Sequence, residues 1–356
     1  MDHRTGSDTL TKPVDLSSLV PVLFGFAAFQ QLRAASELQL FEYLTLNGPS
    51  TCDQVAGGLG LPVKSARKLL LGTTSLGLTE REENRYALSG QLRAAFDDGT
   101  WPLIRNIIDF QQQLSYGPAH EYAESLRTGT NQGLKHVPGS GTNLYARLEQ
   151  TPELENLFYR GMHSWSELSN PVLLRQVDYT GVRRLLDVGG GSAVNAIALA
   201  RAHPHLEATV FDLEGAIEVA RDNIAAAGLG DRIDVAAGDM FGDPMPAGYD
   251  MVLFAHQFVI WSPEQNQALL KQAYEALEPG GRVVVFNAFA SDDGSGPLYS
   301  ALDNVYFATL PSEDSTIYEW HEHEEWLTAT GFTDIKRVHN EGWTPHGVIE
   351  GRKPDA

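Results

Sequence analysis

The sequence predicts an α/β protein: a doubly wound parallel sheet preceded by a mostly helical module of winged-helix outline. Three observations carry that expectation. From Arg184 on, short apolar runs alternate with segments of helical period. A glycine-rich turn, Asp187-Val188-Gly189-Gly190-Gly191-Ser192-Ala193, sits at the first strand-to-helix junction. In the first hundred residues, helix, turn and helix are followed by a pair of short strand-like pieces.

The elements follow in order. Leu19, Leu23, Phe26, Phe29, Leu32 and Ala35 recur near helical period over 16–35, with Pro21 and Gly25 marking a start or kink. LQLFEYL from Leu38 reads as the next helix. Ser50 or Thr51 caps a helix over QVAGGLGL, and Lys64 to Leu76 forms another amphipathic helix. GLTEREENRYALSG then reads as a hairpin. Residues 101–180 are mostly helical, with a glycine-rich loop at the start of 128–150. Strands are expected at Arg184–Val188, Ala208–Leu213, Ile233–Ala237, Tyr249–Ala255 and Arg282–Ala288. Helices between them cover Ala193–Ala202, Glu214–Ala227 and Pro263–Leu277, the last closed by Pro279-Gly280-Gly281. The expected domains are 1–100 (helical, winged-helix), 101–180 (linker and pocket segment) and 181–356 (the sheet).

A chain of 356 residues suggests about two domains, with a core that needs no disulfide. It carries 46 acidic and 26 basic residues, a formal charge of −20. Such a chain repels phosphate backbones and anionic lipids, so nucleic acid and membrane are not expected partners. In the winged-helix segment, Lys64, Arg67 and Lys68 stand alone on the second helix, and the wing holds Glu80, Glu82 and Glu83. Dimerisation and pocket closure fit it better than DNA binding. The single cysteine, Cys52, excludes an intrachain disulfide and a cysteine-built metal site. The polar stretch MDHRTGSDTLTKPVD lacks the layout of a secretory signal, and Leu19–Phe29 is too short to span a bilayer. A cytoplasmic protein is expected.

Glycines at the first strand-to-helix turn let backbone approach a ligand, and the helix N-terminus favours polar groups. Asp212, ending the second strand, is placed for a ribose diol. Gly238-Asp239-Met240-Phe241 after the third strand offers an acid and an apolar surface for an adenine. The turn lacks a P-loop lysine.

LLDVGGGSA, VFDLEG, GDMFGDPMP and EPGGRVVVF together resemble the class I S-adenosylmethionine-dependent methyltransferases. With ASELQLFEYL, the winged-helix outline and GMHSW, the chain is similar to plant caffeate-type and bacterial small-molecule O-methyltransferases, from about Leu19 to Lys353. The resemblance implies a Rossmann-like methyltransferase sheet, a homodimer and S-adenosyl-L-methionine as cofactor. By position it puts Gly189 and Gly191 on the methionine half, Asp212 on the ribose, Leu213 beside the adenine, and Asp239 on its amino group. Met240 and Phe241 would sandwich the ring, and Asp187, Gly238, Ala255, Trp261 and Ser166 complete the expected cofactor set. Ala193 departs from the family's usual glycine.

A larger departure follows the fourth strand. The family usually has Leu-His-Asp-Trp there, whose histidine removes the acceptor's hydroxyl proton; this chain has Phe258-Val259-Ile260-Trp261. Neither Val259 nor Ile260 accepts a proton. Metal-dependent relatives also use that His-Asp pair, so no metal is expected. Three readings remain open: methyl transfer to a self-activating nucleophile such as ring carbon, O- or N-methylation with a relocated base, or a non-methylating enzyme on the same fold. His256, His163 and Glu167 are the candidate catalytic residues. His321, His323, Glu324 and Glu325 read best as a solvated helix face. Met162, His163, Trp165, Phe258, Val259, Trp261, Asn304 and Phe307 match positions that wall the acceptor, and Phe24 and Phe26 reach towards a partner subunit in family dimers. The expected activity is C-methylation of a small hydroxylated, amino-bearing aromatic metabolite in specialised metabolism. An electron-rich ring is already nucleophilic at carbon and needs alignment more than a strong base.

Overall fold

A computed structural model describes residues 17–340 and 342–355. The polar N-terminal stretch and Leu16 lie outside the described residues. The chain divides after Arg105 into two compact units.

In the first unit the expected leading helix is broken. A turn at Val20–Leu23 is followed by a helix over Gly25–Glu37, and the break falls at Phe24, whose backbone leaves the helical region. Pro21 sits in the first turn, where its missing N–H leaves no carbonyl unpaired. Helices follow at Leu40–Asn47, Cys52–Gly58 and Val63–Ser75. Thr51 caps the second of these in a reciprocal capping box with Gln54. β1 (Ser50–Thr51), β2 (Thr79–Glu82) and β3 (Arg85–Leu88) form an antiparallel sheet in the order β1-β3-β2. The hairpin was expected; β1 was not, because two residues carry no periodic signal. Leu40, Phe41, Val55, Leu70 and Leu88 are buried in this unit.

The second unit holds a long helix, Pro152–Gln176, and a seven-stranded sheet. Its strands are β4 (Arg184–Val188), β5 (Glu207–Asp212), β6 (Ile233–Ala237), β7 (Tyr249–Ala255), β8 (Leu277–Ala288), β9 (Thr333–Val338) and β10 (His346–Arg352). The order is β6-β5-β4-β7-β8-β10-β9. The first five pair in parallel, and β10 is antiparallel to both β8 and β9. Neighbouring residues face opposite sides, as the pleat requires. Leu185, Val210, Met251, Leu253, Val284 and Phe286 pack beneath the helices Val194–Ala202 and Glu214–Ala226. Leu186, Val188, Val252, Phe254, Val283 and Val285 pack beneath Pro263–Ala276 and Trp320–Thr330.

Two details differ from expectation. β8 begins at Leu277, not Arg282, and absorbs Pro279-Gly280-Gly281 in a shift of register: Tyr249 pairs with Leu277, but Met251 pairs with Arg282. β9 and β10 were not anticipated, because TDIKRV and HGVIEGR mix charge and glycine with their apolar residues. β10 is nonetheless buried along all but Arg352, since it lies between two strands. No helix among the described residues is long and apolar enough to cross a membrane.

Strand order reverses on either side of β4, so the carboxyl ends of β4 and β7 open a crevice at a topological switch point. Phe258, just past β7, does not join that crevice. It is fully buried, with its ring 4.9 Å from that of Phe254 and stacked on His323. The expectation that it walls the acceptor is corrected: the turn after β7 directs it into the core. Phe258→Ala should therefore cost about 3–5 kcal/mol of stability in urea unfolding. An unfolding midpoint equal to wild type would return Phe258 to the pocket wall.

Candidate active site

The crevice opens into a cavity of about 430 Å³, walled by the ends of β4, β5, β6 and β7, by Pro152–Gln176 and by the helix Leu298–Thr309. At one end lies the glycine turn. Gly189 has φ +67° and its N–H donates to Phe211 O, while Gln257 Nε2 donates to Gly189 O at 3.0 Å. A Cβ at Gly189 would overlap the Gln257 amide. Asp212 closes the turn from the next strand. Its Oδ2 accepts the Gly191 N–H at 2.8 Å and its Oδ1 accepts the Leu213 N–H at 2.7 Å. Burial pushes the Asp212 carboxyl up, and those two N–H groups oppose the rise.

Gly238, Asp239, Met240 and Phe241 form the neighbouring wall. Asp239 Oδ1 accepts the Phe241 N–H at 2.9 Å, which tightens the turn. Phe241 meets Trp261 edge to face at 4.9 Å, and Trp261 Nε1 donates to Gln257 Oε1 at 3.4 Å. Leu213, Ala255 and Ser166 also line the cavity. Asp187 does not. It is fully buried under the turn, where a Cβ at Gly190 would lie 2.8 Å from its carboxyl. Burial, with Asp212 adding to it, pushes that carboxyl up to about 7. The expectation of direct ligand contact by Asp187 is corrected to a buried place beneath the loop.

The other end of the cavity is aromatic. Met162, His163, Trp165, Val259, Trp261 and Phe307 line it together with Phe110, Tyr145, Phe158, Tyr299 and Tyr306. Asn304 faces elsewhere: its Oδ1 accepts the Ile317 N–H at 2.8 Å, and it lines a separate, smaller cavity. Glu167 is exposed and outside the wall, 3.4 Å from His163 Nε2, and His163 Nδ1 lies 3.4 Å from Ser192 Oγ. Val259 packs with Ala288 and Ile317 in a small apolar cluster that Ile260 completes.

His256 lines the cavity with φ +60°, a strained value for a non-glycine residue. Its Nε2 is 3.4 Å from Ser169 Oγ, and its ring meets His346 edge to face at 4.8 Å. Burial lowers its pKa to about 4, so the imidazole is neutral at pH 7 and a weak proton acceptor. His323 is not on a solvated face. It is buried, held by Glu319 O through Nδ1 at 3.1 Å, with its pKa likewise lowered to about 4 by burial. Glu325 is exposed, and Glu324 is ion-paired to Arg337, which also binds Asp292.

Residues 120–333 match the O-methyltransferase domain, and residues 20–91 match the O-methyltransferase dimerisation domain. The chain belongs to the O-methyltransferase family. It is 46% identical to L-tyrosine C(3)-methyltransferase of Streptomyces lavendulae, over 98% of this chain and 96% of that protein. It is 32% identical to 3-hydroxy-5-methyl-1-naphthoate 3-O-methyltransferase of Streptomyces sahachiroi, over 99% of this chain and all of that protein. Among solved structures it is similar to the S-adenosylmethionine-dependent methyltransferase SibL in its apo form, at 59% identity and a TM-score of 0.88, covering 96% of this chain and 100% of that one.

The protein is thus a methyltransferase of this family, with S-adenosylmethionine as its cofactor. The residues present fit that group. The glycine turn leaves backbone bare where a Cβ would intrude, and Asp212 retains lone pairs beyond its two backbone bonds. Sequence reasoning missed Gln257, Tyr145, Tyr299, Asp303, Tyr306 and His346, all of which line the cavity. A signal existed for three of them: Tyr299, Asp303 and Tyr306 recur at helical spacing on one face of Leu298–Thr309. His346 had none, since its strand was unrecognised.

Ala193 adopts φ +64° at the N-cap of Val194–Ala202, a left-handed conformation that glycine takes without penalty. Ala193→Gly should leave stability within about 1 kcal/mol of wild type in urea unfolding, because relief of the left-handed strain is offset by loss of a fully buried methyl and by glycine's greater unfolded-state freedom. Gly189→Ala should weaken S-adenosylhomocysteine binding by at least roughly tenfold by calorimetry, from the strain at φ +67° and the overlap with Gln257. Equal affinity in Gly189→Ala would mean that the turn relaxes freely.

Proposed function

We propose that this enzyme methylates a ring carbon of a small, hydroxylated and amino-bearing aromatic metabolite in specialised metabolism. The observation that carries the reading is the apolar Val259-Ile260 pair where the family places its proton-accepting histidine. The similarity to an L-tyrosine C(3)-methyltransferase supports it. The cofactor, when bound, supplies an electrophilic methyl group on a sulfonium. Gly189, Gly191 and Asp212 hold it by the bare backbone and the ribose-facing carboxylate, while Asp239, Met240 and Phe241 receive the adenine. Met162, Trp165, Phe158 and Tyr306 grip a flat acceptor ring by its faces and edges. Val259 and Ile260 keep water away from the reacting carbon. Alignment and exclusion of water do most of the work that a base does in O-methylation.

His256 is a hydrogen-bond partner in this reading rather than a strong base, because its pKa of about 4 leaves little proton affinity at pH 7. His163, on the aromatic wall but 3.4 Å from Ser192 of the glycine turn, stands where the two ends of the cavity meet and helps orient the cofactor. The enzyme works in the cytoplasm as a homodimer. The dimerisation-domain match and the exposed apolar strip Val22, Leu23, Phe24 and Phe26 support the dimer. The pair Phe24→Asp and Phe26→Asp should halve the mass seen by sedimentation; an unchanged dimer would locate the interface elsewhere.

The decisive test is turnover with S-adenosylmethionine deuterated in the methyl group, against a panel of phenolic and aminophenolic amino acids. One CD3 is expected on ring carbon, with loss of one ring hydrogen. A CD3 mapped by fragmentation to oxygen or nitrogen would refute the proposal. Val259→His should add a measurable O-methylated product on the same acceptors, since it restores a proton acceptor beside the reacting position.

A further inference from the structure

Asp303 projects from Leu298–Thr309 into the aromatic end of the cavity. Among the described residues it has no hydrogen-bond or ion-pair partner. The surrounding protein strips water from its carboxyl and pushes its pKa up to about 7. Tyr299 lies one turn before it and Tyr306 one turn after, both on the cavity wall, with Trp165 edge-on to Tyr299 at 5.8 Å. No described lysine or arginine lines the cavity, whereas Glu149, Glu155, Asp212 and Asp239 do.

We propose that Asp303 anchors an ammonium group on the methyl acceptor, so that the substrate class is an aryl amine or aromatic amino acid with its amino group free. This rests on the reading of the cavity as an aromatic acceptor site. An acidic acceptor would meet carboxylates and no described cation there. A neutral phenol would leave Asp303 desolvated and unpaired, an arrangement that costs free energy without return. An ammonium supplies the opposite charge and three donors, and the π faces and phenolic oxygens around Asp303 tolerate a cation. The carboxyl then ionises fully as the cation arrives, expelling whatever proton it held.

The test is calorimetry on the full-length protein saturated with S-adenosylhomocysteine, for wild type and Asp303→Asn. L-tyrosine, tyramine and 3-(4-hydroxyphenyl)propionate are titrated at pH 7 in two buffers of different ionisation enthalpy. Wild type should prefer L-tyrosine to the propionate, its deaminated analogue, by on the order of 100-fold. It should also release a fraction of a proton on binding either amine, because the raised carboxyl is partly protonated in the empty site at that pH. Asp303→Asn should cut the preference at least tenfold and abolish the proton release. An unchanged preference in the variant, or failure of both amines to bind wild type, overturns the proposal. Asp303-dependent preference with the methyl group on oxygen would leave the anchor standing and sink the ring-carbon reading. Unchanged preference with ring methylation does the reverse.

Thermal unfolding without ligand guards against a merely misfolded variant. A carboxyl whose folded pKa lies above its unfolded value of 3.8 contributes stability below that value and loses it as pH rises towards 7. Asp303→Asn escapes that loss. Its Tm should therefore exceed that of wild type at pH 8, and the gap should close as pH falls towards 4. A lower Tm at every pH would mean that Asp303 has a structural partner, and would overturn the anchor.

Discussion

Asp212 ties the site together. One carboxylate accepts two backbone N–H groups, from Gly191 in the turn after β4 and from Leu213 at the start of the next helix. Those bonds hold an otherwise soft glycine turn against the end of β5, in a place where burial disfavours the charge they stabilise. The carboxylate can serve only because β4 and β5 pair in parallel, Val188 opposite Phe211, so that both strands end at the same level. The two apolar clusters on the faces of the sheet exist, functionally, to keep that register. Gln257, just past β7, repeats the device, donating to Gly189 O and accepting from Trp261, which joins the turn to the wall that holds Phe241.

Much of this was legible in the residues. The expected limits of β4 to β7 lie within a residue of the observed ones, because β4 and β7 are mostly buried apolar runs and β4 and β6 stop at Gly189 and Gly238. The glycine turn, Asp212 and Gly238 to Phe241 were legible as parts of the cavity wall because they lie at strand ends, and a strand end is easy to find. Asp187 misled because it still belongs to β4, where its side chain lies buried under the loop instead of in the cavity. β9 and β10 were hidden because their burial comes from lying beside β8, a tertiary fact absent from local pattern.

The acceptor wall was only half legible, for a related reason. It is assembled from helix faces, where a residue's neighbour in sequence points about 100° away. Asn304 and Asp303 are adjacent, yet one holds the Ile317 backbone and the other lines the cavity. A sequence match to a family position identifies the helix; the rotation of the helix decides which of two adjacent polar residues meets the substrate. His323 shows the same effect. It sits among acids in WHEHEEW, but its face of the helix is the buried one, stacked on Phe258.

These placements change how the missing base should be viewed. The cavity holds His256 and His346, both made neutral by burial, and Asp303, whose carboxyl burial pushes up towards 7. All three shifts share one cause, desolvation, and all three reduce fixed charge in the empty cavity. With Glu149, Glu155, Asp212 and Asp239 on the wall and no described lysine or arginine beside them, the cavity can close on a cationic cofactor and an ammonium-bearing acceptor without first breaking an ion pair of its own. Val259 stands where the family places its proton-accepting histidine, and neither His256 nor His346 holds a proton well at pH 7. A hydroxyl that must lose its proton before attack is badly served by those two histidines. An electron-rich ring, which attacks first and sheds its proton afterwards from a far more acidic intermediate, is not. The apolar Val259-Ile260 pair and the desolvated histidines therefore point the same way, although they lie on different parts of the wall.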